Sequence, residues 1–243
     1  MPEMTVRAQK VAGGMLALTA SAHFLNDMIQ SVIPASFPVI KANYALTFAE
    51  IALIGAALQL TASVLQPFIG AACDRKPRPY SLVFGMMLTF TGLILLTRAP
   101  SFELLVAATA LIGCGSAVFH PEASRAAQTA GAGRKALAQA VFQLGGNAGS
   151  AVGPLAAAFV LAAAGQQGIG WFAAAAVLAA ILLVGVARAG RRLRSGVKKV
   201  SASVVSVLPE SVVRKAFLLL FCSDVFQADL RFVPYKLSHF FPH

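Results

Sequence analysis

Between Val11 and Ala187 the chain is six long apolar segments separated by short loops, and that pattern excludes most folds at once. The segments run Val11 to Ile33, Leu46 to Ala72, Tyr80 to Leu96, Phe102 to Phe119, Ala136 to Ala164 and Ile169 to Ala187. Each approaches the ~20 residues that a helix needs to cross a bilayer. Hydrocarbon offers no water to unpaired backbone groups, so a spanning segment is a helix or part of a closed barrel, and unbroken runs of this length fit helices. The expected fold is an all-α polytopic membrane protein with six transmembrane helices.

The charge distribution supports that reading and orients it. Only 12% of residues are charged and 58% are hydrophobic, with a mean hydropathy of +0.74. In a soluble chain a net charge of +11 would suggest nucleic acid as a partner, but here the basic residues sort by loop. Arg7 and Lys10 precede the first segment; Arg75, Lys76 and Arg78 follow the second; Arg125, Arg134 and Lys135 follow the fourth; Arg188, Arg191, Arg192, Arg194, Lys198 and Lys199 follow the sixth. The alternate loops carry only Lys41 and Arg98. The positive-inside rule therefore puts the N-terminus and the loop after the sixth segment in the cytoplasm. Nucleic acid is excluded, and the lipid bilayer is the expected partner.

The first segment is too long and too polar for a cleavable signal, since it carries His23, Asn26, Asp27 and Gln30. Cys73, Cys114 and Cys222 have neither pairing nor metal-ligand spacing, and are expected as reduced structural thiols. Residues 1–190 form the expected transmembrane bundle, 191–210 a basic cytoplasmic linker, and 211–243 an aberrant seventh-span region. Val212 to Phe221 begins like a span, but Ser223, Asp224, Asp229, Arg231, Pro234 and Lys236 then break its hydrophobicity.

Ionisable groups near a bilayer centre cost ~2.5–3.5 kcal/mol each on insertion scales, so they mark candidate functional positions. His23, Asn26 and Asp27 share one helical face, with Asp27 suited to binding a proton; an interfacial carboxylate is the alternative. His120, Pro121, Glu122 and Arg125 close the fourth segment, where Pro121 would break the backbone ladder and Glu122 can pair with Arg125. That cluster reads either as a gating or proton-handling group or as a plain helix end. In the fifth segment Gln139, Gln143 and Asn147 make a stripe of amides suited to a polar substrate, and Gly145, Gly149 and Gly153 make a second stripe for close helix contact. Pro154 follows and is expected to bend the helix. Segments one and four each carry His plus a carboxylate, and segments two and five each carry spaced Gln before Pro, so the chain reads as two inverted three-helix repeats.

After the second segment, Gly70-Ala-Ala-Cys-Asp74-Arg75-Lys76-Pro77-Arg78-Pro79 resembles the cytoplasmic signature of the major facilitator superfamily, with Pro77 and Pro79 replacing a Gly and a basic residue. Gly149-x-x-x-Gly153-Pro154 resembles the antiporter signature of its exporting branch. His23-Phe24-Leu25-Asn26-Asp27, Phe119-His120-Pro121-Glu122 with Arg125, and Gln143-Leu144-Gly145-Gly146-Asn147 together resemble the fosmidomycin-resistance exporters of bacterial inner membranes. That resemblance covers Ser21 to Ala158, extends loosely to Ala187 and ends near Cys222.

It implies the N-terminal half of a major facilitator fold, and proton-coupled efflux of a small anionic compound. Asp27, His120 and Glu122 would carry protons. His23, Asn26, Arg125, Gln139, Gln143 and Asn147 would hold substrate, and Gly70, Asp74, Arg75, Arg78, Gly149, Gly153 and Pro154 would serve conformational change. No cofactor or metal is expected. The family ordinarily has two six-helix halves, so a missing C-terminal half or a homodimer through the glycine face is an expected partner, and a frameshift or premature end would explain the tail. Two other readings stand beside this one: a non-transporting membrane fragment, and a membrane enzyme using His23, His120 and Glu122.

Overall fold

A computed structural model describes residues 6–75, 78 and 80–196. Those residues are helical almost throughout. The elements are α1 (Val6–Ala35), α2 (Phe37–Tyr44), α3 (Phe48–Arg75), α4 (Ser81–Thr97), α5 (Phe102–Ala130), α6 (Lys135–Ala164), a 3-10 segment (Gly165–Trp171) and α7 (Phe172–Gly196). Three continuous helical stretches among the described residues are long and apolar enough to cross a membrane: Phe48–Cys73, Phe102–Ala130 and Lys135–Leu193, the last taking in both α6 and α7. The shorter α4 is equally apolar along its 17 residues.

Local chemistry sets the helix ends. Thr47 and Glu50 form a capping box before α3, with the Glu50 carboxylate accepting from Thr47 N at 2.8 Å and Thr47 Oγ1 accepting from Glu50 N at 3.2 Å. The Ser101 side chain accepts from Leu104 N at the start of α5. Between α5 and α6 the chain turns through Ala132 and Gly133, both with positive φ, a region that glycine enters without steric cost.

Several boundaries differ from expectation. The fourth segment does not stop at Phe119: α5 runs through His120, Pro121 and Glu122 to Ala130. Pro121 removes one backbone donor, yet the helix persists because neighbouring helices hold its flanks, as happens in membrane bundles. The loop carrying Lys41 is largely helix α2. α7 reaches Gly196, so Arg191 and Arg192 belong to its last turns rather than to a linker. The rest of the expected linker and the expected seventh-span region lie outside the described residues.

α1 lies against α5, α6 and α7, while α5 also packs on α3 and α4. Two apolar clusters form the core. One gathers Ile29, Ile33, Ile54, Leu93, Leu105 and Ile112, the other Met15, Met86, Phe119, Phe142 and Leu183. On α1 the polar turn His23 to Asp27 falls between them.

α6 and α1 meet backbone to backbone. A Cβ placed on Gly145 would run into the carbonyl oxygen of Ala20, one on Gly149 into that of Phe24, and one on Gly153 into Met28 O and Ser31 Oγ. Both helices advance four residues per contact, the packing that small-xxx-small stripes permit in lipid. This corrects one expectation: the glycine face is consumed within the bundle and is not offered to a second copy. Outward, Phe68 on α3 and Leu144, Leu155 and Phe159 on α6 are exposed, apolar surface of a kind that lipid or another membrane segment must cover.

Polar ties close one end of the bundle. Gln166 Nε2 donates to Leu96 O and to Tyr44 Oη, both at 2.9 Å, its Oε1 accepts from Asn43 Nδ2 at 3.0 Å, and the Tyr44 hydroxyl donates to Ala99 O. At the start of α4, Arg191 Nη2 donates to Tyr80 Oη at 2.7 Å.

Candidate functional site

The α1 face bearing His23, Asn26 and Asp27 meets α5 at His120. His23 Nε2 lies 3.2 Å from Asp27 Oδ2, and His120 Nε2 lies 3.8 Å from Asp27 Oδ1. The pairing of His23 with Asp27 follows from helical geometry, since residues four apart stack on one face. His120 could be joined to them only by tertiary packing.

The other nitrogen of His23 decides how protons are arranged. Nδ1 is 2.8 Å from the backbone carbonyl of Phe142 on α6. A carbonyl only accepts, so Nδ1 carries the hydrogen and Nε2 is left as an acceptor in neutral imidazole. Nε2 then faces a carboxylate oxygen, another acceptor unless one of the two is protonated. The His23–Asp27 contact is therefore favourable when the pair holds one extra proton and unfavourable when it holds none. The His23 ring is fixed by stacking on Phe142 at 3.8 Å between centroids and tilts against Phe119. Exposure rises across the group: the His23 side chain is 4% exposed, that of Asp27 19% and that of His120 30%.

Asn26 is fully buried and donates through Nδ2 to Asp27 Oδ1 at 2.9 Å. Its own Oδ1, together with Gln30 Nε2 one turn on, has no hydrogen-bond partner among the described residues. A buried polar atom left unsatisfied costs about 1–3 kcal/mol, so these two atoms suit a polar ligand or water.

Glu122 and Arg125 form a separate group nearer the end of α3. Arg125 Nη1 is 2.9 Å from Glu122 Oε1 and donates to Cys73 O at 2.9 Å; Nη2 donates to Gly70 O at 3.5 Å. Ser81 Oγ donates to Glu122 Oε2 at 3.1 Å. The guanidinium thus sits on the carbonyls of the last turns of α3, where the helix dipole favours a cation. Gly70, Asp74 and Arg75 are all within α3, with Arg75 its final residue, and Arg78 is exposed in the following loop. Arg125→Ala would strand Glu122, which is 9% exposed. The expected loss is about 3 kcal/mol, the low end for a broken buried pair, read as a lower melting temperature in detergent. Replacing both residues with apolar ones of similar volume should recover most of it.

The amide stripe divides. Gln139 Oε1 accepts from Ser124 Oγ at 3.1 Å, linking α6 to α5, whereas Gln143 and Asn147 are exposed on α6. Gly149 and Gly153 pack on α1, and Pro154 continues inside α6. Sequence reasoning missed Phe142 and Ser81. Phe142 acts through its backbone and its ring, which no motif announces, although it lies one turn before Gly146, where a Cβ would meet the His23 imidazole.

Residues 19–240 match the Major Facilitator Superfamily. The chain belongs to that superfamily. The match continues past Cys222, so the family likeness does not end where the apolar pattern breaks. The chain is 44% identical over 210 residues to the fosmidomycin resistance protein of Escherichia coli (strain K12), covering 85% of this chain and 51% of that protein. It is 41% identical over 174 residues to the MFS-type transporter YfnC of Bacillus subtilis (strain 168), covering 72% and 42%. It thus spans about half the length of these relatives. Among solved structures, tetrameric PepTSo2 superposes with a TM-score of 0.62 at 14% identity, over 90% of this chain and 49% of that one. A peptide transporter POT in complex with sulfate gives 0.60 at 19%, over 98% and 51%. At such identity the likeness concerns the fold, which is that of a multi-pass all-α transporter bundle.

Proposed function

We propose that this chain supplies the proton-binding, N-terminal half of an exporter that moves a small anionic compound of the fosmidomycin type out across a bacterial inner membrane in exchange for protons. The observation that carries the reading is the His23–Asp27 contact with Nδ1 committed to Phe142 O. A pair that needs one proton, placed where α1 meets α5 with Asp27 partly exposed, is suited to loading and unloading during a transport cycle. Asp27 and His120 carry the proton. Asn26 and Gln30, with their unsatisfied atoms, offer hydrogen bonds to the substrate, and Gln143 and Asn147 extend the polar surface along α6. The Arg125–Glu122 group, tied to the end of α3, fastens one end of the bundle.

Packing supports the inverted repeat. Exchanging α1, α3 and α4 for α5, α6 and α7 turns the α1–α6 contact into α5–α3 and the α1–α7 contact into α5–α4, and all four contacts are extensive. The proton site then lies between the two equivalent first helices. Orientation follows from the basic loops. Reporter fusions after Arg78 and Arg134 should read as cytoplasmic and those after Ala99 and Gln167 as periplasmic; the reverse pattern would overturn the orientation.

Alternating access needs two bundles around one cavity, so the 243-residue chain expressed alone is expected not to export. Joined to the C-terminal half of the Escherichia coli relative, it should lower fosmidomycin accumulation in cells, and an uncoupler should abolish the effect. Lowered accumulation by the chain alone would point instead to a working homodimer. Export that survives the uncoupler would refute proton coupling.

A further inference from the structure

Two imidazoles and a carboxylate that the sequence scatters over two helices converge in the bundle. His23, Asp27 and His120 each offer one ligand atom, and these atoms lie within 4.8 Å of one another. A tetrahedral zinc ion with bonds of ~2.0–2.1 Å sets its donors ~3.3 Å apart. His23 Nε2 lies 3.2 Å from one Asp27 oxygen and His120 Nε2 3.8 Å from the other, and with no pair of ligand atoms beyond 4.8 Å, an inward movement of His120 by up to about 1.5 Å closes the set on one tetrahedral ion.

The outer partners that orient metal ligands are also present. His23 donates Nδ1–H to a backbone carbonyl, leaving the Nε2 lone pair directed at Asp27, and Asn26 donates to the Asp27 carboxylate. Stacking on Phe142 holds the His23 ring in that orientation. The exposed sides of Asp27 and His120 leave room for a fourth ligand such as water. A donor set of two imidazoles and one carboxylate favours borderline ions over magnesium or calcium, which take oxygen.

We infer that His23, Asp27 and His120 form a binding site for a divalent transition-metal ion of the zinc class, and that an ion held there blocks the proton site. The metal site stands on its own geometry; only the block rests on the proposed proton-carrying role.

The test uses the full chain, purified in detergent without a histidine tag and titrated first with Co2+ and then with Zn2+. One Co2+ per chain with the intense visible bands of four-coordinate cobalt is expected, displaced by Zn2+. X-ray absorption at the zinc edge should count two imidazoles. Asp27→Asn and His120→Ala should each weaken binding at least about tenfold, whereas replacing His239 and His243, the chain's other histidines, should leave it unchanged. A count other than two imidazoles on the unaltered chain, or binding that disappears with His239 and His243 instead, would overturn the site, and a count of two on the chain lacking His239 and His243 supports it even where the Asp27 or His120 variant fails to fold. In the completed exporter Zn2+ should stop proton-driven flux; flux that continues at saturating Zn2+ would overturn the block. Binding is read without any transport, so its failure and the failure of proton coupling are distinguishable.

Discussion

Gly149→Leu is expected to leave no folded bundle, while Gly13→Ala is tolerated. At Gly149 any Cβ enters the space of the Phe24 carbonyl, and the next obstacle, Met28 N, is also α1 backbone. Overpacking against flexible side chains costs about 1–3 kcal/mol; a collision with helix backbone has no side chain to move aside and should exceed that range. α1 and α6 would have to separate, which in turn removes Phe142 O from His23 and dissolves the candidate site. Gly13 has nothing within 4 Å of its would-be Cβ, so the added methyl meets open space and favours the helix. The measurement is membrane level and monodispersity in detergent for both variants. A monodisperse Gly149→Leu protein with unchanged melting temperature would show that the α1–α6 contact is not what holds the bundle.

The contrast between these two glycines bears on what the sequence discloses. Periodicity places Gly145, Gly149 and Gly153 on one face and predicts a close helix neighbour, but not which one. The neighbour is α1, more than a hundred residues away in the chain, and nothing local to α6 names it. Helix existence was readable because lipid imposes length and apolarity. Where helices end was less so. α5 was expected to stop at Phe119 because polarity begins there, and hydropathy treats polarity as exit from the membrane. In the bundle Glu122 finds Arg125, and Arg125 finds the carbonyls of Gly70 and Cys73, so the polar residues extend the helix inward rather than ending it.

The site divides along the same line. His23 with Asp27 is a local relation set by four-residue spacing, and it was legible. His120 joining them depends on how α5 crosses α1. The hydrogen bond from His23 to Phe142 O depends on a main-chain atom that every residue possesses, so no residue type could have signalled it. The family resemblance implies a substrate role for Arg125, yet its described contacts are with Glu122 and the end of α3.

Asp27→Asn, placed in the exporter completed with a second half, is expected to reduce proton-driven flux to the level of vesicles lacking the protein. The carboxylate is the only group on this face that can lose a proton while remaining an acceptor for both imidazoles. An asparagine amide in its place can donate to His23 Nε2, satisfying the neutral imidazole, so the pair no longer requires a proton and nothing is exchanged when the cavity changes sides. The fold should survive, because the amide has the same shape and the neutral pair keeps a hydrogen bond; the melting temperature of the variant provides that control. Substrate binding measured without a gradient should persist, since Asn26 and Gln30 are unaltered. Flux is therefore expected to disappear in reconstituted vesicles with an imposed pH difference, while binding and stability remain. Undiminished pH-driven flux in this variant would remove Asp27 from the coupling mechanism and leave the His23–Asp27 pair a structural contact between α1 and its surroundings.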